Sequence, residues 1–126
     1  MNPQRIGIVV NEVSGDQLAA ALIQALNRKR PGLRFEGMTG PLMEVQGCHS
    51  LMRMDPVMGL VEVLRHLPRL LRARRRLYRH FVERPPALFI GVDAPDFNLA
   101  LEARLKAKGI KTAHFVSPTV WAWRQG

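Results

Sequence analysis

The segment Ile6 to Val10, IGIVV, constrains the fold most: every position that bears a side chain is apolar and β-branched. A strand that alternates apolar and polar residues buries one face, whereas a continuous run needs cover on both, and that cover comes from helices in parallel α/β sheets. The rest of the chain keeps to this pattern. Apolar runs alternate with helical periodicities from the N-terminus onward, which favours a βα progression over a bundle or a sandwich. The turn Asn11 to Gly15 leads into a helix over Asp16 to Arg28, where Leu18, Leu22 and Leu26 recur at i, i+4, i+8 and Ala19, Ile23 and Ala25 widen the stripe. Pro31-Gly32 stops it. Leu33 to Met38 is a second strand, Gly37, Gly40 and Pro41 mark a turn, and Ser50 to Met54 is a weaker strand.

Val57 to Phe81 reads as helical, interrupted or kinked at Pro68, whose ring removes a backbone donor. Glu83-Arg84-Pro85-Pro86 ends it, and Ala87 to Val92 is the second clear core strand. A turn over Asp93 to Phe97 precedes a helix over Asn98 to Lys108, which presents Leu99, Ala103 and Ala107 on one side. Gly109 suits the left-handed position after that helix. Thr112 to Val116 is a further strand, and Ser117-Pro118 opens a loop holding both tryptophans, Trp121 and Trp123. The expectation is one α/β domain over residues 1–126, a Rossmann-like parallel sheet flanked by helices.

Composition removes several classes. With 47% apolar and 23% charged residues the 126-residue chain can bury a core, so disorder and collagen-like repeats are excluded. No apolar run approaches the ~20 residues that span a bilayer. The start, MNPQRIGIVV, enters a strand with no signal-peptide pattern, which points to the cytoplasm. The single Cys48 allows no internal disulfide and reads as a buried thiol; His49, His66, His80 and His114 show no ligand spacing, so no metal site is expected.

The net charge of +9 is unevenly placed: seven arginines and no acid fall between Arg65 and His80. Arg65, Arg69, Arg72, Arg76 and Arg79 occupy i, i+4, i+7, i+11 and i+14, one face of a helix. Leu60, Val63 and Leu64 belong to the apolar stretch just upstream. Such a pairing suits the surface of an anionic membrane, and it equally suits a solvated basic face over core leucines. Nucleic acid is disfavoured because the arginines lack interleaved aromatics and belong to no reader motif.

Two loops follow core strands, where ligands sit in doubly wound folds. The first, Asn11-Glu12-Val13-Ser14-Gly15-Asp16, lacks the three glycines of a dinucleotide fingerprint, and its two acids would repel a pyrophosphate. Ser14 or Asp16 serves there as a helix N-cap, as a ligand contact, or as both. In the second, Gly91 to Asn98, Asp96 or Asn98 can cap the next helix, while Asp93 lies ahead of the cap at the strand mouth. Asp93 is therefore the candidate general base for a substrate hydroxyl, with a turn-forming role as the alternative.

VSGD after the first strand, MGLVEVL, GVDAPDFN and VSPTVWAWRQ, in this order and spacing, closely resemble the lipid-A-disaccharide synthase family along essentially the entire chain. The first loop reads NEVSGD where that family usually has GEASGD, with Asn11 and Val13 in place of small residues. The resemblance implies an inverting, metal-independent and cofactor-free glycosyltransferase of the two-Rossmann-domain (GT-B) type, of which these residues are the N-terminal, acceptor-side half. The implied reaction transfers a sugar from UDP-2,3-diacylglucosamine to 2,3-diacylglucosamine 1-phosphate in lipid A (lipopolysaccharide) biosynthesis. It places the base at Asp93 and acceptor contacts at Ser14, Gly15, Asp16, Asp96, Trp121 and Trp123. Leu60, Val63, Leu64 and the arginine face become membrane-facing, with the protein peripheral at the cytoplasmic side of the inner membrane. The donor site belongs to a C-terminal domain that these residues do not supply, so the chain alone is expected to be inactive. A non-catalytic membrane-associated module is the alternative.

Overall fold

The computed structural model describes residues 4–54 and 60–116, without the side chains of residues 60–64 and 66. The elements run β1 (Arg5–Val10), α1 (Val13–Lys29), β2 (Arg34–Thr39), α2 (Pro41–Val45), β3 (His49–Arg53), α3 (Leu60–Glu83), β4 (Leu88–Val92), α4 (Pro95–Ala107) and β5 (Thr112–Phe115). The strands form one sheet in the order β3-β2-β1-β4-β5, and every pairing is parallel. This is the Rossmann-like α/β arrangement the apolar runs require.

The continuous run of β1 is explained by two cores. Ile6, Ile8 and Val10 pack with Ala19 and Ile23 of α1 and with Met43 of α2. Val9, on the opposite face, packs with Leu77 and Phe81 of α3 and with Phe97, Leu101 and Leu105 of α4. Strand side chains alternate in direction, so a strand sandwiched this way is apolar throughout. Gly7 faces Phe81, whose ring would lie 2.9 Å from any Cβ there. The aromatic ring takes the space the glycine leaves.

Several local expectations are corrected. Helix α1 begins at Val13 rather than Asp16, with Glu12 at the N-cap and no side-chain cap bond, so neither Ser14 nor Asp16 caps it. Gly37 lies within β2 rather than in a turn; a Cβ there would run into the carbonyl of Ile8 on β1, so close strand approach selects the glycine. The turn expected at Gly40-Pro41 opens the short helix α2, with Pro41 in its first turn. Helix α3 runs on through Pro68, which forfeits a single backbone bond while Leu77 and Phe81 bury the turns beyond it. Helix α4 starts at Pro95, before the expected Asn98, and its N-cap is Ala94 rather than Asp96 or Asn98. Its buried face carries Phe97, Asn98, Leu101, Glu102 and Leu105; Leu99, at 50% exposure, and the exposed Ala103 and Ala107 face solvent. Gly109 does take the left-handed conformation after the helix, at φ +84°.

Candidate functional site

The strand order reverses between β1 and β4, and the crevice outside their carboxyl ends is where doubly wound folds hold ligands. Val10 is in register with Val92, so Asn11-Glu12 and Asp93-Ala94 emerge side by side. Asp93 is 8% exposed. It and Ala94 are consecutive non-glycine residues in left-handed conformation, at φ 50° and 42°. Such residues cost about 1–2 kcal/mol each and persist only where the surroundings over-determine them.

Asn98 supplies most of that determination. Its Nδ2 donates to the carbonyls of Asp93 at 2.9 Å and Val92 at 3.1 Å, with a longer contact to Val9 at 3.4 Å. One fully buried amide thus ties the ends of β1 and β4 to the first turn of α4. The Asn98 N–H closes the turn on the Ala94 carbonyl at 2.9 Å, and the Asp93 N–H donates to the Phe115 carbonyl at the end of β5, 2.8 Å away. Asp93, at the end of β4, is therefore held through its N–H by β5 and through its carbonyl by α4. Local sequence alone suggests only a capping role for Asn98.

A cavity of about 250 Å³ opens beside this turn, walled by Leu67, Leu70 and Leu71 of α3 and by Phe97, with Asn11, Glu12, Arg74, Ala94, Pro95 and Asp96 completing its lining. Asp96, in the first turn of α4, is exposed toward it. Asn11 and Glu12 enter the site from the loop after β1, although Ser14, Gly15 and Asp16 are the residues of that loop singled out as contacts. A second cavity of about 300 Å³ adjoins the first and shares Asn11 and Leu70 with it.

The first loop divides its labour differently from the expectation. Ser14 is exposed, while Gly15 is buried against the sheet, where a Cβ would make ordinary contacts of 3.4 Å with Val10 and 3.7 Å with Val92. Asp16 is 2% exposed and turns away to α2: Oδ2 accepts the Leu42 N–H and Oδ1 the Met43 N–H, both at 3.0 Å. Among the described residues, neither cavity is lined by Ser14, Gly15 or Asp16. Trp121 and Trp123 lie outside the described residues, as do the side chains of Leu60, Val63 and Leu64.

Arg65, Arg69, Arg72, Arg76 and Arg79 are all exposed along α3. Leu67 and Leu71 add apolar surface, at 42% and 45% exposure. Two histidines tie elements together: His80 Nε2 meets Glu36 at 3.0 Å, and His114 Nδ1 meets Glu102 at 2.7 Å. Burial pushes the Glu102 carboxyl above its ordinary range, against the opposing pull of His114. Cys48 is buried, and that burial pushes its thiol up to about 12, reinforced by Glu44, Glu36 and Asp16. Among the described residues no His, Cys, Asp and Glu cluster could hold a metal, and no helix is long and apolar enough to cross a membrane.

Comparison with known proteins gives a consistent result. The family model described as lipid-A-disaccharide synthetase matches residues 6–126. The lipid-A-disaccharide synthase of Aeromonas hydrophila is 56% identical over 126 residues, covering 98% of this chain and 33% of that protein. That of Pseudoalteromonas translucida is 58% identical over 123 residues, covering 96% of this chain and 32% of its own length. That of Photobacterium profundum is 55% identical over 125 residues, with 98% and 33% covered. The chain spans about a third of the length of the curated relatives it matches.

Proposed function

The chain belongs to the lipid-A-disaccharide synthase family, and from that premise we propose that residues 1–126 are the acceptor-side Rossmann unit of a GT-B glycosyltransferase. In this reading the acceptor is 2,3-diacylglucosamine 1-phosphate and the donor UDP-2,3-diacylglucosamine. Asp93 takes the proton of the acceptor hydroxyl as its oxygen bonds to the anomeric carbon of the donor. The bond from that carbon to the β-phosphate oxygen breaks, and UDP departs with the electron pair. Asp96 and Ser14 approach the acceptor, with Trp121 and Trp123 nearby, while Gly15 and Asp16 hold the first turn in place. The observation that carries the reading is Asp93 itself, a buried carboxylate at the switch point whose left-handed backbone is fixed by hydrogen bonds to β5 and from α4. A strained conformation maintained by dedicated hydrogen bonds is characteristic of functional positions.

Glycosyl transfer needs donor and acceptor held together, so turnover requires a second unit that binds the UDP-sugar, and these residues alone form no disaccharide. The arginine face of α3, with Leu60, Val63 and Leu64 upstream and exposed Leu67 and Leu71 alongside, supports peripheral docking at the cytoplasmic face of the inner membrane. Acylated substrates reside in that surface. The test is Asp93→Asn in the protein completed by its donor unit. General-base catalysis contributes about 10²- to 10⁴-fold, so kcat should fall by at least that lower figure with the fold intact; a loss under about tenfold gives Asp93 a structural role instead.

A further inference from the structure

Among the described residues, Asn11 is the polar side chain that the two adjoining cavities share. It stands at the mouth of β1, one step past the registered pair Val10 and Val92, and so beside Asp93. The side chain is half-buried, and its amide oxygen Oδ1 is wholly buried with no hydrogen-bond partner among the described residues. The guanidiniums of α3 that line the same cavities leave it unpaired. The usual reasons for an asparagine at a strand end do not apply here. Its backbone is not left-handed, unlike that of Asp93 and Ala94. It does not cap α1, whose N-cap is Glu12 with no side-chain cap bond. Asn98 ties three carbonyls through its Nδ2, whereas the Asn11 oxygen ties nothing. A buried carbonyl without a donor is a cost that a purely structural side chain has no reason to carry.

We propose that Asn11 is a specificity-determining contact, whose Oδ1 accepts a hydrogen bond from a neutral O–H or N–H on the same sugar ring whose reacting hydroxyl faces Asp93. The inference rests on the acceptor-side reading above. Neighbouring strands lie about 5 Å apart, so side chains at the mouths of β1 and β4 reach two substituents of one ring rather than two separate molecules. The surroundings select the kind of donor. Glu12 and Asp96 stand on one side of Asn11 and Arg69, Arg72 and Arg76 on the other. An ammonium group is drawn to the carboxylates and an anionic oxygen to the guanidiniums, which leaves the uncharged amide oxygen to a neutral donor. A site with a buried acceptor discriminates strongly against a ligand that lacks the matching hydrogen, because the acceptor then stays unpaired. Such a contact acts on binding and hence on KM, whereas the base at Asp93 acts on kcat.

The split between KM and kcat supplies the experiment, made in the protein completed by its donor unit with 2,3-diacylglucosamine 1-phosphate and UDP-2,3-diacylglucosamine varied in turn. Asn11→Ala deletes the oxygen, and Asn11→Leu deletes it while keeping the bulk. Both variants should raise the acceptor KM by about tenfold, leave kcat within about threefold and hold the donor KM within about twofold. The urea midpoint of Asn11→Ala should equal or exceed the native one, since removing an unpaired buried oxygen removes its desolvation cost. An acceptor KM unchanged in either variant, a loss confined to kcat, an equal rise in both KM values, or a lower midpoint for Asn11→Ala overturns the proposal. An ordered water as the sole partner of Oδ1 gives the first of these results. Asp93→Asn keeps the two readings apart. If it loses kcat while the Asn11 variants keep the native acceptor KM, only the Asn11 contact fails; if it keeps kcat while they raise that KM, only the catalytic reading fails.

Discussion

Replacing Asp16 separates a ligand contact from a structural tie. Its carboxylate is buried, and each oxygen accepts one backbone N–H at the start of α2, from Leu42 and Met43, both at 3.0 Å. Gly40, the N-cap of α2, offers no side-chain acceptor of its own. A Cβ there would strike the Asp16 carboxylate, so Asp16 supplies from 26 positions away what a local cap would otherwise supply. Hydrogen bonds to a charged group contribute about 1.5–3 kcal/mol each. Because water can partly reach the freed amides, Asp16→Ala should cost about 3–4 kcal/mol rather than the full sum. Asp16→Asn keeps one acceptor oxygen and turns an NH₂ toward the other amide, donor against donor, so about 2 kcal/mol or more is expected. Domains of this size are stable by about 5–15 kcal/mol, and urea m-values run about 1–3 kcal/mol/M, so the alanine variant should unfold at least about 1 M earlier. Urea unfolding followed by circular dichroism reads the midpoint, and hydrogen exchange reads the Leu42 and Met43 amides. Asp16→Ala within about 0.5 kcal/mol of the native chain, with both amides still protected, would refute the structural assignment. Loss of acceptor binding by such a variant of the completed protein would make Asp16 a ligand contact after all.

Asn98→Ala removes the donor shared by the Asp93, Val92 and Val9 carbonyls and should destabilise by about 2–4 kcal/mol in urea unfolding, with Asn98→Asp at least as costly because it sets acceptor against acceptor. A cost under about 1 kcal/mol for the alanine variant would mean the left-handed turn holds itself. The Cys48 thiol, pushed up to about 12 by burial, should resist a thiol-specific disulfide reagent at pH 8 and react only in denaturant; rapid labelling of the native chain would contradict that burial. Burial raises the Glu102 carboxyl above its ordinary 4.5, so around that value the folded chain holds a proton the unfolded chain has released. Its contribution to stability is present below the unfolded value and is lost as pH rises through the folded one. Urea midpoints from pH 4 to 7 should therefore fall more steeply for the native chain than for Glu102→Gln, and parallel curves would exclude the assignment.

The doubly covered sheet was legible in the sequence because its evidence is local. IGIVV and the apolar run ending at Val92 need two helical layers whatever lies between them, and Ile8 and Val9 do part to opposite cores. The place of Asp93 at the mouth of β4 was legible for the same reason, since a strand end followed by a turn is visible without knowing the neighbours. The misread positions share the opposite property. Asp16 looks like a cap for the helix beside it, and its partners lie 26 and 27 residues downstream. Gly37 looks like turn punctuation, yet what excludes a side chain there is the Ile8 carbonyl on another strand.

Helix α4 carries the same argument into the site. An apolar period placed Leu99, Ala103 and Ala107 on one side, but the face that is buried includes two polar residues, Asn98 and Glu102. Burying them is offset by partners: the Asn98 Nδ2 has the carbonyls of Val9, Val92 and Asp93, although its Oδ1 has none, and Glu102 has the His114 ring at 2.7 Å. Gly91 makes the room, since a Cβ at that position would collide with the Glu102 carboxylate and come 2.9 Å from the Asn98 Cβ. Glycine on β4, polar residues on the inner face of α4 and histidine on β5 are thus one packing solution, distributed over three elements and invisible to any single periodicity. Its product is a left-handed Asp93-Ala94 turn that an unsupported chain would relax. The residues that make the turn possible are therefore those that a reading from local propensity assigns to the wrong face or to a generic cap.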